Sequence, residues 1–73
     1  MYEKFVDILV EELQIDRDDV SMDAELSNDL GINSIELYEL VAICEDKFGI
    51  EFDDDSARKF ITVGDVVSYL ESL

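Results

Sequence analysis

Ser34 is the residue whose type and setting could do the most chemistry. It stands in Asp29-Leu30-Gly31-Ile32-Asn33-Ser34-Ile35-Glu36-Leu37, where an acid-rich stretch gives way to a helical pattern. At a helix start its hydroxyl is exposed, and the local N–H groups and dipole favour an attached anion. Gly31 lets another molecule approach the backbone closely. The chain contains no His, and no Lys stands near Ser34, so Ser34 is not a self-activated nucleophile. It can accept a group that another enzyme transfers, or it can be an ordinary helix-start serine. Spacing alone leaves both open.

Other chemistries fall away. One Cys and no His cannot build a structural zinc site, and a lone Cys excludes an internal disulfide or a redox pair. Cys44 falls on the apolar face of a helix beside Glu45 and Asp46, which oppose thiolate formation, so it reads as a small core hydrophobe. An EF-hand loop opening at Asp16 meets Val20 and Ser21 where a ligand and a glycine are required. One opening at Asp53 meets Ala57 and Arg58. No metal site is expected. No phosphate-binding glycine loop and no nucleophile elbow are present, and no carboxylate pair stands out as an acid–base couple. The chain reads as a non-enzyme.

The elements that position Ser34 are helical. Phe5, Ile8, Leu9 and Leu13 follow the apolar spacing of an amphipathic helix over about 2–14. Leu37, Leu40, Val41, Cys44 and Phe48 define a second helix over about 34–48. Asn33 is its cap, Glu36 holds the capping-box position and Gly49 terminates it. Asp53-Asp54-Asp55 opens a short helix of about 55–60. Thr62 and Asp65 form a second capping box, ahead of a last helix of about 63–72 with Val63, Val66, Val67 and Leu70 inward. Residues 15–33 are rich in turn-forming Asp and Asn, yet Ile15, Val20, Met22, Leu26, Leu30 and Ile32 recur through them as plugs that pin a long loop to the core. A short helical turn fits within this loop. The fold class is all-α: a small bundle of three main helices and one short helix, with a long structured loop between the first two.

The 73 residues make one small domain of 8.3 kDa. The formal charge is −15, from 20 acidic and 5 basic residues. That charge excludes a nucleic-acid binder and opposes docking on anionic membranes. With 48% hydrophobic residues the chain still has the side chains for a core. No run approaches the roughly 18 apolar residues of a membrane span, and no signal peptide opens the chain, so a cytoplasmic protein is expected. Between Arg17 and Lys47 there are nine acids and no base. Such a field steers basic partners. Ile35, Tyr38 and Ala42 flank the core face of the second helix, either as the apolar part of a docking surface or as a half-buried helix edge.

The run D-L-G-I-N-S-I-E-L resembles the phosphopantetheine attachment motif of acyl carrier proteins, D-x-G-x-D-S-L. The resemblance extends through E-L-x-x-x-x-E-D-x-F-G-I-E-F from Glu39 to Phe52 and T-V-G-D-V-V-x-Y-L from Thr62 to Leu70. It implies a carrier domain spanning 1–73, with 4′-phosphopantetheine from coenzyme A joined to Ser34 and acyl groups held as thioesters for fatty acid or related biosynthesis. It implies a phosphopantetheinyl transferase and acyl-transferring and acyl-modifying enzymes with basic docking patches as partners, met by Asp29, Asn33, Ile35, Glu36, Tyr38, Glu39, Ala42, Glu45 and Asp46 of a monomeric carrier. The family has Asp where this chain has Asn33 and Leu where it has Ile35. Asn33 keeps the capping ability and loses the charge that helps a basic transferase. The alternatives are an aminoacyl or peptidyl carrier, and an acidic helical adaptor with Ser34 unmodified.

Overall fold

The computed structural model describes Met1–Leu73. Four α-helices are present: α1 Tyr2–Leu13, α2 Ser34–Phe48, α3 Asp54–Arg58 and α4 Val63–Glu71. A 3₁₀ turn at Arg17–Asp19 is the short helical turn expected within the long loop. The all-α expectation is met.

Each helix begins and ends where local chemistry dictates. α1 stops when Gln14 enters the left-handed region at φ 57°, which lets the Ile15 N–H donate to the Leu9 carbonyl at 3.1 Å. Both halves of the α2 capping box form: the Glu36 N–H donates to Asn33 Oδ1 at 2.8 Å, and the Asn33 N–H donates to Glu36 Oε1 at 3.3 Å. Gly49 closes α2 at φ 65°, a conformation that costs a side-chain-bearing residue more than glycine. α3 starts one residue before the expected position because Asp53 caps it. It ends two residues early because the Lys59 and Phe60 N–H groups bond back to Ser56 and Ala57 in tighter turns. α4 ends at Glu71, one residue short of the expected end.

The core is built from Phe5, Ile8 and Leu9 of α1, Leu40 and Cys44 of α2, and Val63, Val66, Val67 and Leu70 of α4. Leu26 and Ile32 plug the loop into this core. Ile15, Val20 and Leu30 pack half-buried against it. Met22 departs from expectation: it is 43% exposed, and Ala24 at 6% takes the buried place instead. The reason lies in the backbone. The loop pairs with the α3–α4 connection through an antiparallel bridge between Glu25 and Thr62. Leu26 N–H donates to the Ile61 carbonyl at 2.8 Å, Val63 N–H to Ala24 at 2.9 Å and Gly64 N–H to Met22 at 2.8 Å. The extended pairing directs Ala24 and Leu26, two residues apart, to the same side.

Two expected outcomes follow from the core. A Cβ on Gly64 would lie 2.9 Å from the Met22 carbonyl oxygen, a backbone atom already fixed by a hydrogen bond. Gly64→Ala is therefore expected to lower stability by about 1–3 kcal/mol, the usual cost of overpacking, in urea titrations. Gly31→Ala meets no atom within 4 Å and carries only the strain of φ 69°. It should cost less than Gly64→Ala. Cys44 is completely buried, and burial first, then Glu45, pushes its thiol up to about 12. Iodoacetamide at neutral pH should leave Cys44 of the folded protein unmodified and alkylate it in concentrated urea. Fast alkylation of the folded protein would contradict this placement.

Candidate functional site

The loop and α2 meet at Asn33-Ser34. Ile32 is buried, Asn33 turns the chain as a cap, and Ser34 becomes the first residue of α2. This arrangement leaves Ser34 exposed, with no hydrogen-bond partner for its hydroxyl within the chain. The capping box occupies the N–H groups of Asn33 and Glu36. Those of Ser34 and Ile35 have no acceptor. Two free donors and the positive end of a 15-residue helix therefore surround the Ser34 side chain. A phosphodiester joined to Ser34 fits this setting, because its anionic oxygens would meet donors that otherwise point into water.

Asp29 stays close to its own loop. Its carboxylate accepts from the Glu25 N–H at 2.7 Å, and its N–H donates to the Glu25 carbonyl at 2.9 Å. Gly31 adopts φ 69° with open space around it, so the backbone ahead of Ser34 is accessible.

A groove of about 350 Å³ opens beside Ser34. Leu26, Ile32, Leu37, Phe60 and Ile61 form its apolar lining, with Ser27, Asn33 and Ser34 completing it. The sequence reading assigned Leu26, Ile32 and Leu37 to the core but did not single out Phe60 or Ile61. Their signal was the apolar pair just ahead of the Thr62 capping box. Ile61 is 61% exposed.

The outer face of α2 leaves its apolar residues exposed. Ile35 is 73% exposed and Tyr38 49%, and Ala42 is exposed one turn further. They share a face at helical spacing and are not a buried edge. The acids around them divide by role. Glu39 and Asp46 are exposed. Glu36 serves the capping box, and half-buried Glu45 accepts the Phe52 N–H at 2.8 Å. Glu36, Glu45 and Asp29 thus hold the fold as well as contributing charge.

No three metal-ligating side chains converge anywhere in the structure. No helix is long and apolar enough to cross a membrane.

Known proteins resemble this chain. The family described as "Phosphopantetheine attachment site" matches residues 3–70. An acyl carrier protein of Campylobacter hominis is 42% identical over 73 residues, covering 100% of this chain and 92% of its own length. One from Helicobacter acinonychis is 41% identical over 71 residues, covering 97% of this chain and 91% of its own. A solved Mycobacterium tuberculosis structure, assigned as an acyl carrier protein, superposes with a TM-score of 0.90 at 30% identity, covering 97% of this chain and 95% of that one. An exposed serine at the open end of a capped helix, in a chain matched along nearly its whole length, leads to one conclusion: this chain belongs to the acyl carrier protein family, whose members bear a covalent 4′-phosphopantetheine.

Proposed function

We propose that Ser34 bears the 4′-phosphopantetheine group and that residues 1–73 act as one non-catalytic carrier unit. The observation that carries this is the partnerless Ser34 hydroxyl beside the free N–H groups of Ser34 and Ile35. The group, once attached, supplies a terminal thiol that holds an acyl chain as a thioester. The protein's own residues present the attachment oxygen, neutralise part of the phosphodiester charge and offer an apolar groove.

Attachment needs outside help. The chain has no His and the first turn of α2 has no base except the Glu36 carboxylate, which is engaged in the cap. The transferase must take the Ser34 proton as the Oγ–phosphorus bond forms. It must also release the nucleotide part of coenzyme A as the leaving group. Because Asn33 stands where a carboxylate is usual, that transferase reads a neutral side chain next to Ser34.

Ile35, Tyr38 and Ala42 form the apolar centre of the docking face, and Glu39 and Asp46 give it charge. Asp29, Glu36 and Glu45 add to the same negative field from positions tied to the fold. Acyl-transferring and acyl-modifying enzymes with basic patches complement this face, with transient, salt-sensitive contacts. The apolar lining of the groove favours a fatty or polyketide-like acyl chain over an aminoacyl or peptidyl cargo. The charge of −15 opposes self-association, so the carrier works as a monomer. We assign it to the cytoplasm, where coenzyme A and its transferase are at hand.

Incubation with coenzyme A and a phosphopantetheinyl transferase should add the mass of one phosphopantetheine, read by intact-mass spectrometry. Ser34→Ala should abolish the addition while leaving the helical circular dichroism unchanged, since Asn33 and Glu36 keep the cap. Full modification of Ser34→Ala would overturn the assignment.

A further inference from the structure

Phe60 occupies a place that the carrier role alone does not explain. It lines the groove beside Ser34 and also a second cavity of about 360 Å³ with Ser56, Lys59, Asp65, Ser68 and Tyr69. Phe60 is the one residue that lines both cavities.

The ring is held in place from behind. It meets Phe52 edge-on at 5.9 Å between centroids and an 89° interplanar angle. It meets Tyr69 at 5.6 Å and 70°. Phe52 and Tyr69 stack on each other at 5.1 Å and 26°. The Tyr69 hydroxyl accepts the Asp53 N–H at 3.1 Å, which ties the start of α3 to α4. Edge-to-face and offset pairs of this kind favour one arrangement of rings. Phe52 is buried against the core, so it cannot retreat without opening a cavity. Beyond Phe60 the second cavity runs past Ser56, Lys59, Asp65, Ser68 and Tyr69, and its exposed lining is mainly apolar, so Phe60 stands between two apolar surfaces.

We propose that Phe60 is a specificity-determining residue that closes the groove to long acyl chains. Short chains on the Ser34 arm lie against Leu26, Leu37 and Ile61. The distal methylenes of longer chains stay in water or are handed to the partner enzyme. This inference rests on the carrier reading of Ser34. Continuity supplies the occupant: the groove begins at the attachment residue itself. Trimming the Phe60 ring should expose the apolar faces of Phe52 and Tyr69 and lengthen the groove.

The test loads the protein with butanoyl, octanoyl and dodecanoyl chains and compares melting temperatures with the unacylated holo form. Each methylene that enters the groove favours the sheltered over the solvated chain by up to about fourfold, corresponding to about 0.8 kcal/mol. A sheltered chain stabilises only the folded state. The wild-type melting temperature should rise with chain length and level off before dodecanoyl. Phe60→Ala should continue to rise through dodecanoyl. Phe60→Leu, which keeps more of the packing, should show the same trend if the alanine variant does not fold. Tyr69→Phe removes only the bond to Asp53, so it should lower all melting temperatures without moving the plateau. A wild-type curve that keeps climbing through dodecanoyl overturns the proposal. So does a plateau unchanged in the folded Phe60 variants. A protein that accepts no phosphopantetheine fails earlier, at loading, and removes the carrier reading together with this one.

Discussion

Three backbone hydrogen bonds decide where Ser34 stands. Met22, Ala24 and Leu26 pair with Ile61, Val63 and Gly64, joining a loop to a helix start that is far away in sequence. Without that pairing, residues 14–33 would be a long free connection, and ordering each residue costs about 1–2 kcal/mol. The pairing seats Ala24 and Leu26, and the Ile32 N–H then bonds to the Leu26 carbonyl at 2.9 Å. The chain is thereby delivered to Asn33 at a set position, with the cap and Ser34 immediately following. Ile61 takes part in the same pairing and lines the groove. Ser34 and its apolar neighbour Ile61 are thus placed by one structural device.

Charge sets the second constraint. Only Arg17 pairs with an acid, Asp7, and that pair is exposed, where such contacts contribute little. A few of the remaining acids are offset locally. Asp16, Asp53 and Asp65 meet N–H groups at helix starts, and the carboxyl of Asp65 is held below its usual range chiefly by the Thr62 and Ile61 N–H groups. Its contribution to stability is therefore present above the ordinary carboxylate range and fades as pH falls through the lowered value. Elsewhere the negative field is uncompensated, most of all along the loop between α1 and α2. A fold that had only to be stable would not keep it. On the proposed carrier reading, partner enzymes with basic patches would gain capture rate from it.

Legibility in the sequence followed the range of the interactions. The bounds of α2 came from Asn33, Glu36 and Gly49, all local signals, and the structure has them at Ser34–Phe48. Thr62 and Asp65 marked the start of α4 in the same way. The Glu25–Thr62 bridge spans residues far apart and has no local signature, so Met22 was expected to point inward although Ala24 does. The Phe52–Phe60–Tyr69 cluster escaped for the same reason: each ring sits on a different segment, and none repeats at helical spacing. Ser34 was legible as a helix-start serine from its neighbours. Its partnerless hydroxyl and the groove beside it emerge only in three dimensions.

Amide hydrogen exchange at Leu26, Val63 and Gly64 tests most directly whether the loop pairing positions Ser34. If the pairing holds the site, these amides exchange slowly, with protection close to that of Leu40 and Val67 in the helical core. Exchange at the rate of an unstructured loop, while the helices stay protected, would contradict the account and leave the placement of Ser34 to the cap alone.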